Sequence, residues 1–254
     1  MILAIVQARM GSTRLPNKAM LKIKGIPVIE HVVRRAMVSK LIDKIVVATT
    51  MNRSDDVLEK YIKEKMRGCD VFRGSEENVL ERFYLCAKPY KPDIIVRVTA
   101  DDPLKDAEII DRAVQFLLND PELDYVSNTI KPTFPEGLDI EAIRFNALET
   151  AYKAAALQSE KEHVTPYIWK NRDKFKTMNF EHDEDLSSWR WTLDKTEDFE
   201  FMKAIYEEFY DKNPNFSYKS VINYLKNHPE IVGINSSIVR NEGYLRSLNK
   251  EKGK

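Results

Sequence analysis

The sequence predicts an α/β protein: three layers, α/β/α, around a mostly parallel, Rossmann-like sheet. Three observations predict it. Apolar, β-branched runs at residues 2–6, 44–50 (KIVVATT) and 93–99 (DIIVRVT) read as buried strands. Between them, apolar residues recur at helical spacing, as in Ile29, Val32, Val33, Ala36 and Met37. The resulting alternation of strand and helix is the rhythm of a doubly wound sheet.

In chain order, strand 2–6 runs into a basic loop, and Gly25-Ile26-Pro27 then turns into a helix with Pro27 near its first position. After strand 44–50, Ser54 is placed to cap a helix whose first turn carries Asp55 and Asp56, favourable at the positive end of the dipole. A short strand at 69–72 leads to Arg73-Gly74-Ser75, with Ser75 as the cap of a helix bearing Val79, Leu80, Phe83 and Ala87. Strand 93–99 enters Ala100-Asp101-Asp102-Pro103, and a helix follows through Ile109, Ile110, Ala113, Phe116 and Leu117. Strands are expected at 125–128 and 138–143, joined by a proline-bearing loop able to fold over a substrate. Helices should fill 146–157 and 161–172, and strands 176–181 and 188–193. A helix opening at Asp194–Asp198 carries Phe199, Met202, Ile205, Tyr206 and Phe209, and a shorter one occupies 218–226. These bounds give one domain over residues 1–239 and a polar C-terminal arm, 240–254, expected as a frayed arm or a peripheral helix.

Composition excludes several classes. The chain has 254 residues, 43% of them hydrophobic, enough for one large core. Lys+Arg and Asp+Glu both number 40, so the basic excess of a general nucleic-acid binder is missing and any phosphate affinity must be local. No apolar run approaches a membrane span. Cys69 and Cys86 form no metal-ligand spacing, and reduced thiols in a cytoplasm are the expectation.

The first loop holds the strongest local signal. Arg9, Gly11, Ser12, Thr13, Arg14, Pro16 and Lys18 follow a buried strand directly, at the carboxyl edge where open α/β sheets bind ligands. Cations and hydroxyls at this density, with glycine freeing the backbone, suit several phosphate oxygens. A solvated basic turn is the plainer alternative. Neither GxxxxGK(S/T) nor GxGxxG is present, so kinase and dehydrogenase readings gain nothing.

Asp101 and Asp102 stand side by side just past a buried strand, where like charges repel unless something neutralises them. A divalent cation would do so, since Mg²⁺ takes one or two carboxylates plus substrate phosphates. A helix cap is the other explanation, although Asp106 is equally well placed for it. Asp194 followed by Glu197 reads as a capping box. Asp139 and Glu141 would share one face of an extended strand, oriented toward an acceptor or exposed on an edge. His163 titrates near neutrality and suits an acceptor ligand or base, or a satisfied helix histidine.

The segment QARMGSTRLPNKAML resembles the signature loop of sugar nucleotidyltransferases with a GT-A-like fold. It is most similar to the CMP-sugar synthetase (acylneuraminate/Kdo cytidylyltransferase) superfamily, in its SpsF-like spore coat polysaccharide branch. The resemblance implies that Ala8, Arg9, Gly11, Ser12, Arg14, Lys18, Arg73 and Asp101 bind nucleotide, with Arg9, Arg14, Lys18 and Asp101 catalytic. It implies that Asp101, in the place of the Gly-Asp-x-Pro aspartate, and Asp194, in the place of the first aspartate of Asp-Thr-Pro-Glu-Asp-Leu, hold Mg²⁺. Asp139, Glu141 and His163 lie in segments similar to SpsF-like ones and are assigned to the acceptor. The implied reaction moves CMP from CTP to a small anionic acceptor, an acidic sugar or phosphorylated polyol, with release of pyrophosphate, for surface polysaccharide biosynthesis. Cytoplasmic location and a homodimer are implied as well, without nucleic acid or membrane as partner. A GT-A-type glycosyltransferase using a nucleotide sugar and a non-catalytic nucleotide-binding module are the rival readings. The first would need an Asp-x-Asp motif, which the candidate metal segment Asp101-Asp102 does not provide.

Overall fold

In the computed structural model, which describes residues 1–252, β1 (Ile2–Gln7) lies inside a seven-stranded sheet. A small ribbon of β2 (Lys22–Ile23) and β3 (Ile26–Pro27) precedes α1 (Val28–Ala36). Then come β4 (Lys44–Thr50), α2 (Asp56–Lys65), β5 (Cys69–Gly74), α3 (Val79–Ala87), β6 (Ile94–Thr99) and α4 (Ala107–Asn119). The sheet is completed by β7 (Tyr125–Ser127), β8 (Glu141–Arg144) and β9 (Thr177–Asn179). Between β8 and β9 lie α5 (Phe145–Ala154), α6 (Gln158–His163) and α7 (Pro166–Lys170). The chain ends in α8 (Thr196–Phe209), α9 (Tyr218–Lys226), α10 (Pro229–Val232) and α11 (Glu242–Lys252).

The strand order is β5-β4-β1-β6-β8-β7-β9. The β1–β4, β1–β6, β4–β5 and β7–β9 pairs are parallel, and β8 runs against both of its neighbours. Side chains alternate along a strand, so each strand feeds two cores. Ala4, Val6, Ile45 and Val47 pack with α1, α4, α8 and α9, whereas Leu3, Ile5, Val46 and Ala48 pack with α3, α5 and α7. This is the expected three-layer arrangement. Fully burying each aliphatic side chain contributes about 1.5–3 kcal/mol, which is why the first strand carries no polar residue before Gln7.

The topology also decides where a site can form. From β1 the sheet grows toward β4 and β5 on one side, and the chain then crosses back to β6 on the other. The carboxyl ends of β1 and β6 therefore flank a switch point, where open sheets leave a crevice. Gln7 is in register with Thr99, so the loops beginning at Ala8 and Ala100 leave the sheet at the same height.

Several local expectations are corrected. Residues 188–193 form no strand; Arg190 makes one isolated parallel bridge to Glu136, because its guanidinium is drawn into buried carboxylates. Residues 138–140 are not in a ladder either. The Asn128 side chain does what a partner strand would, donating to the Leu138 carbonyl at 2.9 Å and accepting from the Ile140 N–H at 2.8 Å. Helix 161–172 is two helices, α6 and α7, broken at Val164. Caps differ as well. Asn78, not Ser75, caps α3 by accepting from the Glu81 N–H at 3.0 Å. Ser54 sits in a 3₁₀ turn ahead of α2. At the start of α8, Asp198 replaces the Asp194/Glu197 box, its Oδ2 accepting from the N–H groups of Asp194 and Lys195, both at 2.9 Å. The polar arm, in its described part, forms α11 and lies against α6.

Candidate active site

The loop after β1 is shaped by a residue that looked like an ordinary first-turn acid. Asp55 is buried, and its carboxylate accepts from the Met10 N–H at 2.8 Å, the Thr49 hydroxyl at 2.8 Å and the Thr50 hydroxyl at 2.6 Å. Burial raises its pKa, but these donors together lower it further, so the carboxyl stays charged. A carboxylate from the β4–α2 connection thereby pins the Ala8–Met10 backbone. Asn17, in the left-handed region at φ 58°, then bends the loop into a 3₁₀ turn whose first residue is Lys18. Asparagine tolerates that conformation through its short polar side chain.

Lys18 Nζ donates to Asp101 Oδ2 at 2.6 Å and to Asp194 Oδ1 at 2.7 Å. The other oxygen of Asp194 meets Arg14 at 2.8 Å, and Arg14 also reaches Glu242 of α11 at 3.3 Å. Burial opposes the Asp101 charge, but the Lys18 ammonium overrides it and holds the carboxyl down at about 2. Lys18 is likewise raised, because the two carboxylates outweigh its desolvation.

Each acid is held from behind. The Asp101 carbonyl accepts the Leu193 N–H at 2.8 Å, tying the two acidic segments together. Asp194 stands on Asp198, whose carboxylate takes a two-pronged bond from Arg190 at 2.8 and 3.1 Å, while Arg190 also donates to Glu136 at 2.6 Å. Gly137 allows this approach: at φ +103°, a Cβ there would lie 2.3 Å from the Trp191 carbonyl oxygen. Asp102 is turned aside. Its Oδ2 accepts from Thr99 and from buried Lys105 at 2.8 Å, so it serves as the counter-charge of a lysine. Burial, opposed by Lys105 and aided by Asp101, pushes its carboxyl up to about 6.

These groups line one end of a cleft of about 1610 Å³, larger than the 300–1,000 Å³ typical of a small-ligand site and roomy enough for two reactants. Ala8, Arg9, Ser12, Arg14, Lys18, Asp101 and Asp194 all reach it. Gly11 sits in the same loop, its missing Cβ facing Glu76. Arg73 does not reach it. Its guanidinium is consumed by Asp56, Glu59 and the carbonyls of Thr50 and Asn52, at 2.5–2.8 Å, on the α2 side of β5. The arginine presented from this region is Arg82 of α3, anchored on the Ser75 carbonyl at 2.7 Å.

At the other end, Glu141 lines the cleft with its carboxylate already engaged, and β8 is an interior strand rather than an edge. Its carboxylate is bound by Arg97, by the Tyr125 hydroxyl at 2.6 Å and by Thr165. Asp139 reaches the cleft while paired with Arg240 at 2.6 Å. His163 meets Ser247 of α11 at 3.0 Å, and burial, reinforced by Arg97, lowers it to about 4. Just beyond it, Val164 at φ 73°, ψ −55° makes a γ-turn, closed by the Thr165 N–H on the His163 carbonyl at 2.9 Å. Positive φ in a β-branched residue is strained, and such strain gathers at functional sites. The turn aims both His163 and Thr165 into the cleft. Trp169 of α7 and Tyr244 of α11 add an aromatic corner, ring centroids 6.1 Å apart.

Arg97, Arg82, Trp169 and Tyr244 also line the cleft, and sequence patterns do not single them out. Arg97 left a trace, a charge inside the apolar run DIIVRVT; the others left none. Among the described residues no three His, Cys, Asp or Glu side chains gather as metal ligands. Asp101 and Asp194 nonetheless suit Mg²⁺, because both present an oxygen to one shared cation within 2.7 Å.

The family model described as cytidylyltransferase matches residues 3–231, so α11 lies past its end. A spore coat polysaccharide biosynthesis protein, SpsF of Bacillus subtilis, is 35% identical over 238 residues, covering 90% of this chain and 95% of its own. An uncharacterised protein of Methanocaldococcus jannaschii is 39% identical over 96% of this chain and 97% of its own. The solved structure of a cytidylyltransferase from Leptospira borgpetersenii superposes with a TM-score of 0.85 at 36% identity, covering 91% of this chain and 96% of that one.

Two outcomes are expected. Glu141→Ala strands Arg97 as a buried, unpaired charge and should cost about 3–5 kcal/mol in urea unfolding; a loss under about 1 kcal/mol would return Glu141 to the ligand side. His163 sits below its unfolded value of about 6.5, so the unfolded chain takes up a proton first and stability falls as pH drops from about 6.5 toward 4. His163→Gln should remove about 1–2 kcal/mol of the loss between pH 7.5 and 5; identical losses in both proteins would show His163 to be freely solvated.

Proposed function

The chain belongs to the cytidylyltransferase family, and we propose that the acceptor of its CMP transfer is an acidic sugar or a phosphorylated polyol. CMP comes from CTP, pyrophosphate leaves, and the activated product feeds the biosynthesis of a surface polysaccharide. The observation that carries this reading is the meeting of Lys18 with Asp101 and Asp194 beside a cationic loop, in a cleft with room for a second reactant. No helix among the described residues is long and apolar enough to cross a membrane.

Arg9, Arg14 and Lys18, with the backbone amides around Gly11 and Ser12, hold the triphosphate. Their charge stabilises the negative charge that grows on departing pyrophosphate. Asp101 and Asp194 would hold Mg²⁺, which would supply Lewis-acid polarisation of the α-phosphate. Asp102, committed to Lys105, takes no part in that ligation.

The acceptor enters from the end walled by His163, Trp169 and Tyr244. A hydroxylated ring offers its apolar face to the aromatic corner and its anionic group to Arg172 and Lys250, for which no acidic partner is present among the described residues. His163 at about 4 is too weak a base to deprotonate a sugar hydroxyl at neutral pH, so its role is to orient the acceptor through Nδ1, with Nε2 held by Ser247. An acceptor phosphate is already ionised and needs no base.

Pyrophosphate release tests the reading: CTP, UTP, ATP and GTP are each incubated with Mg²⁺ and a panel of 2-keto sugar acids, acylneuraminates and polyol phosphates. Release with CTP and one such anion is expected; release with a different nucleotide, or with neutral sugars, would contradict it. In that assay Asp101→Ala should lower turnover by about 10²–10³-fold while CTP affinity changes far less. Near-normal turnover in Mg²⁺ would remove Asp101 from the metal site. Lys18→Ala should weaken binding of CTP much more than of CMP by calorimetry; equal losses would move Lys18 off the outer phosphates.

A further inference from the structure

Both metal-site acids are already neutralised by the chain itself. Asp194 gives one oxygen to Lys18 at 2.7 Å and the other to Arg14 at 2.8 Å, with Arg190 3.5 Å from the latter. Asp101 gives its Oδ2 to Lys18 at 2.6 Å. Each of the two carboxylates thus already carries a cation, Lys18 on both and Arg14 on Asp194, and a dication arriving alone must displace them as well as shed its own water. The lysine and Arg14 belong to the loop that also faces the nucleotide end of the cleft, whereas Arg190 is locked below by Asp198 and Glu136. A triphosphate competes for Lys18 and Arg14 with several oxygens, some able to take the guanidinium two at a time. Once they swing to it, Asp101 and Asp194 become a strongly negative pair, beside phosphates that complete a hard-oxygen ligand set.

We propose that Lys18, assisted by Arg14, is an exchangeable internal counter-cation that keeps a divalent ion off Asp101 and Asp194 until a nucleoside triphosphate draws it away. This rests on the assignment of Asp101 and Asp194 as metal ligands. Metal and nucleotide then bind as a coupled pair, and by linkage each strengthens the other by the same factor. The counterintuitive consequence is that removing an active-site lysine strengthens the binding of free metal.

The probe is Mn²⁺ alone, titrated into the full chain and followed by the loss of its free paramagnetic resonance signal. Wild type should bind it weakly, and Lys18→Met at least about tenfold more tightly. Adding Asp101→Asn to Lys18→Met should abolish the gain. Lys18→Gln, with its unfolding midpoint measured beside that of the wild type, guards against a misfolded variant. In the wild type, CTP should bring Mn²⁺ binding beyond that of CTP in buffer. Equal Mn²⁺ affinity in wild type and both Lys18 variants would overturn the exchange. Tight Mn²⁺ binding by the wild type without CTP would overturn it too, while leaving the metal ligands assigned. If neither Lys18→Met nor wild type with CTP binds Mn²⁺, the ligand assignment itself falls, and the exchange with it.

Discussion

One ammonium group joins three parts of the chain that are far apart in sequence. Lys18 reaches Asp101 across 83 residues and Asp194 across 176. An ion pair of this kind gains strength from partial burial, and it demands geometry, since an uncompensated charge here would be costly. Everything around it serves that demand. The register of β1 with β6 sets the height of Lys18 and Asp101, Asp55 fixes the loop from one side, and the bond from Leu193 to the Asp101 carbonyl brings Asp194 in from the other.

The supports beneath the cleft share a design. Arg190 with Glu136 and Asp198, Arg97 with Glu141, and Lys105 with Asp102 are buried pairs. Replacing such a pair by apolar residues is often neutral or stabilising, so stability alone does not account for them. Their value here is positional. The Arg190 and Lys105 groups hold segments without regular structure, around Asp101, Gly137 and Trp191, whereas Arg97 and Glu141 face each other across the β6–β8 ladder at the floor of the cleft. The strained turn at Val164 belongs with them: Glu141 holds Thr165, Thr165 ends the turn, and the turn presents His163.

Sequence patterns revealed whatever repeats. The strands of β1, β4 and β6, their helices and the phosphate-type loop follow from periodicity and from one unusual run of cations. The paired carboxylates Asp101-Asp102 point to a cation by themselves, and the resemblance selects Asp101 of the two; Asp194 reads as a helix-end acid and takes its metal role from the resemblance alone. What escaped detection depends on long-range polar partners that leave no periodic mark. Asp55 and Asp198 look like first-turn acids until the Met10 amide and Arg190 are seen against them. Arg73 and Glu141 look available until their own neighbours are seen to consume them. The arm from residue 240 onward looked peripheral because it is held mostly by polar contacts, Ser247 donating to Glu162 and Ser159 donating to Glu251, both at 2.9 Å, with Tyr244 its one aromatic anchor against His163 and Trp169. It nevertheless lines the cleft and meets the first loop where Glu242 pairs with Arg14, outside the region that the family model spans.

Asp101 and Asp194 share one cation position, and Lys18 holds it. A crystal structure of the chain with CTP and Mn²⁺, with the metal located by its anomalous scattering, tests this most directly. The ion should lie between those two carboxylates, with the Lys18 ammonium moved onto the phosphates. A metal bound elsewhere, or Lys18 still bridging both acids while CTP fills the cleft, would contradict it.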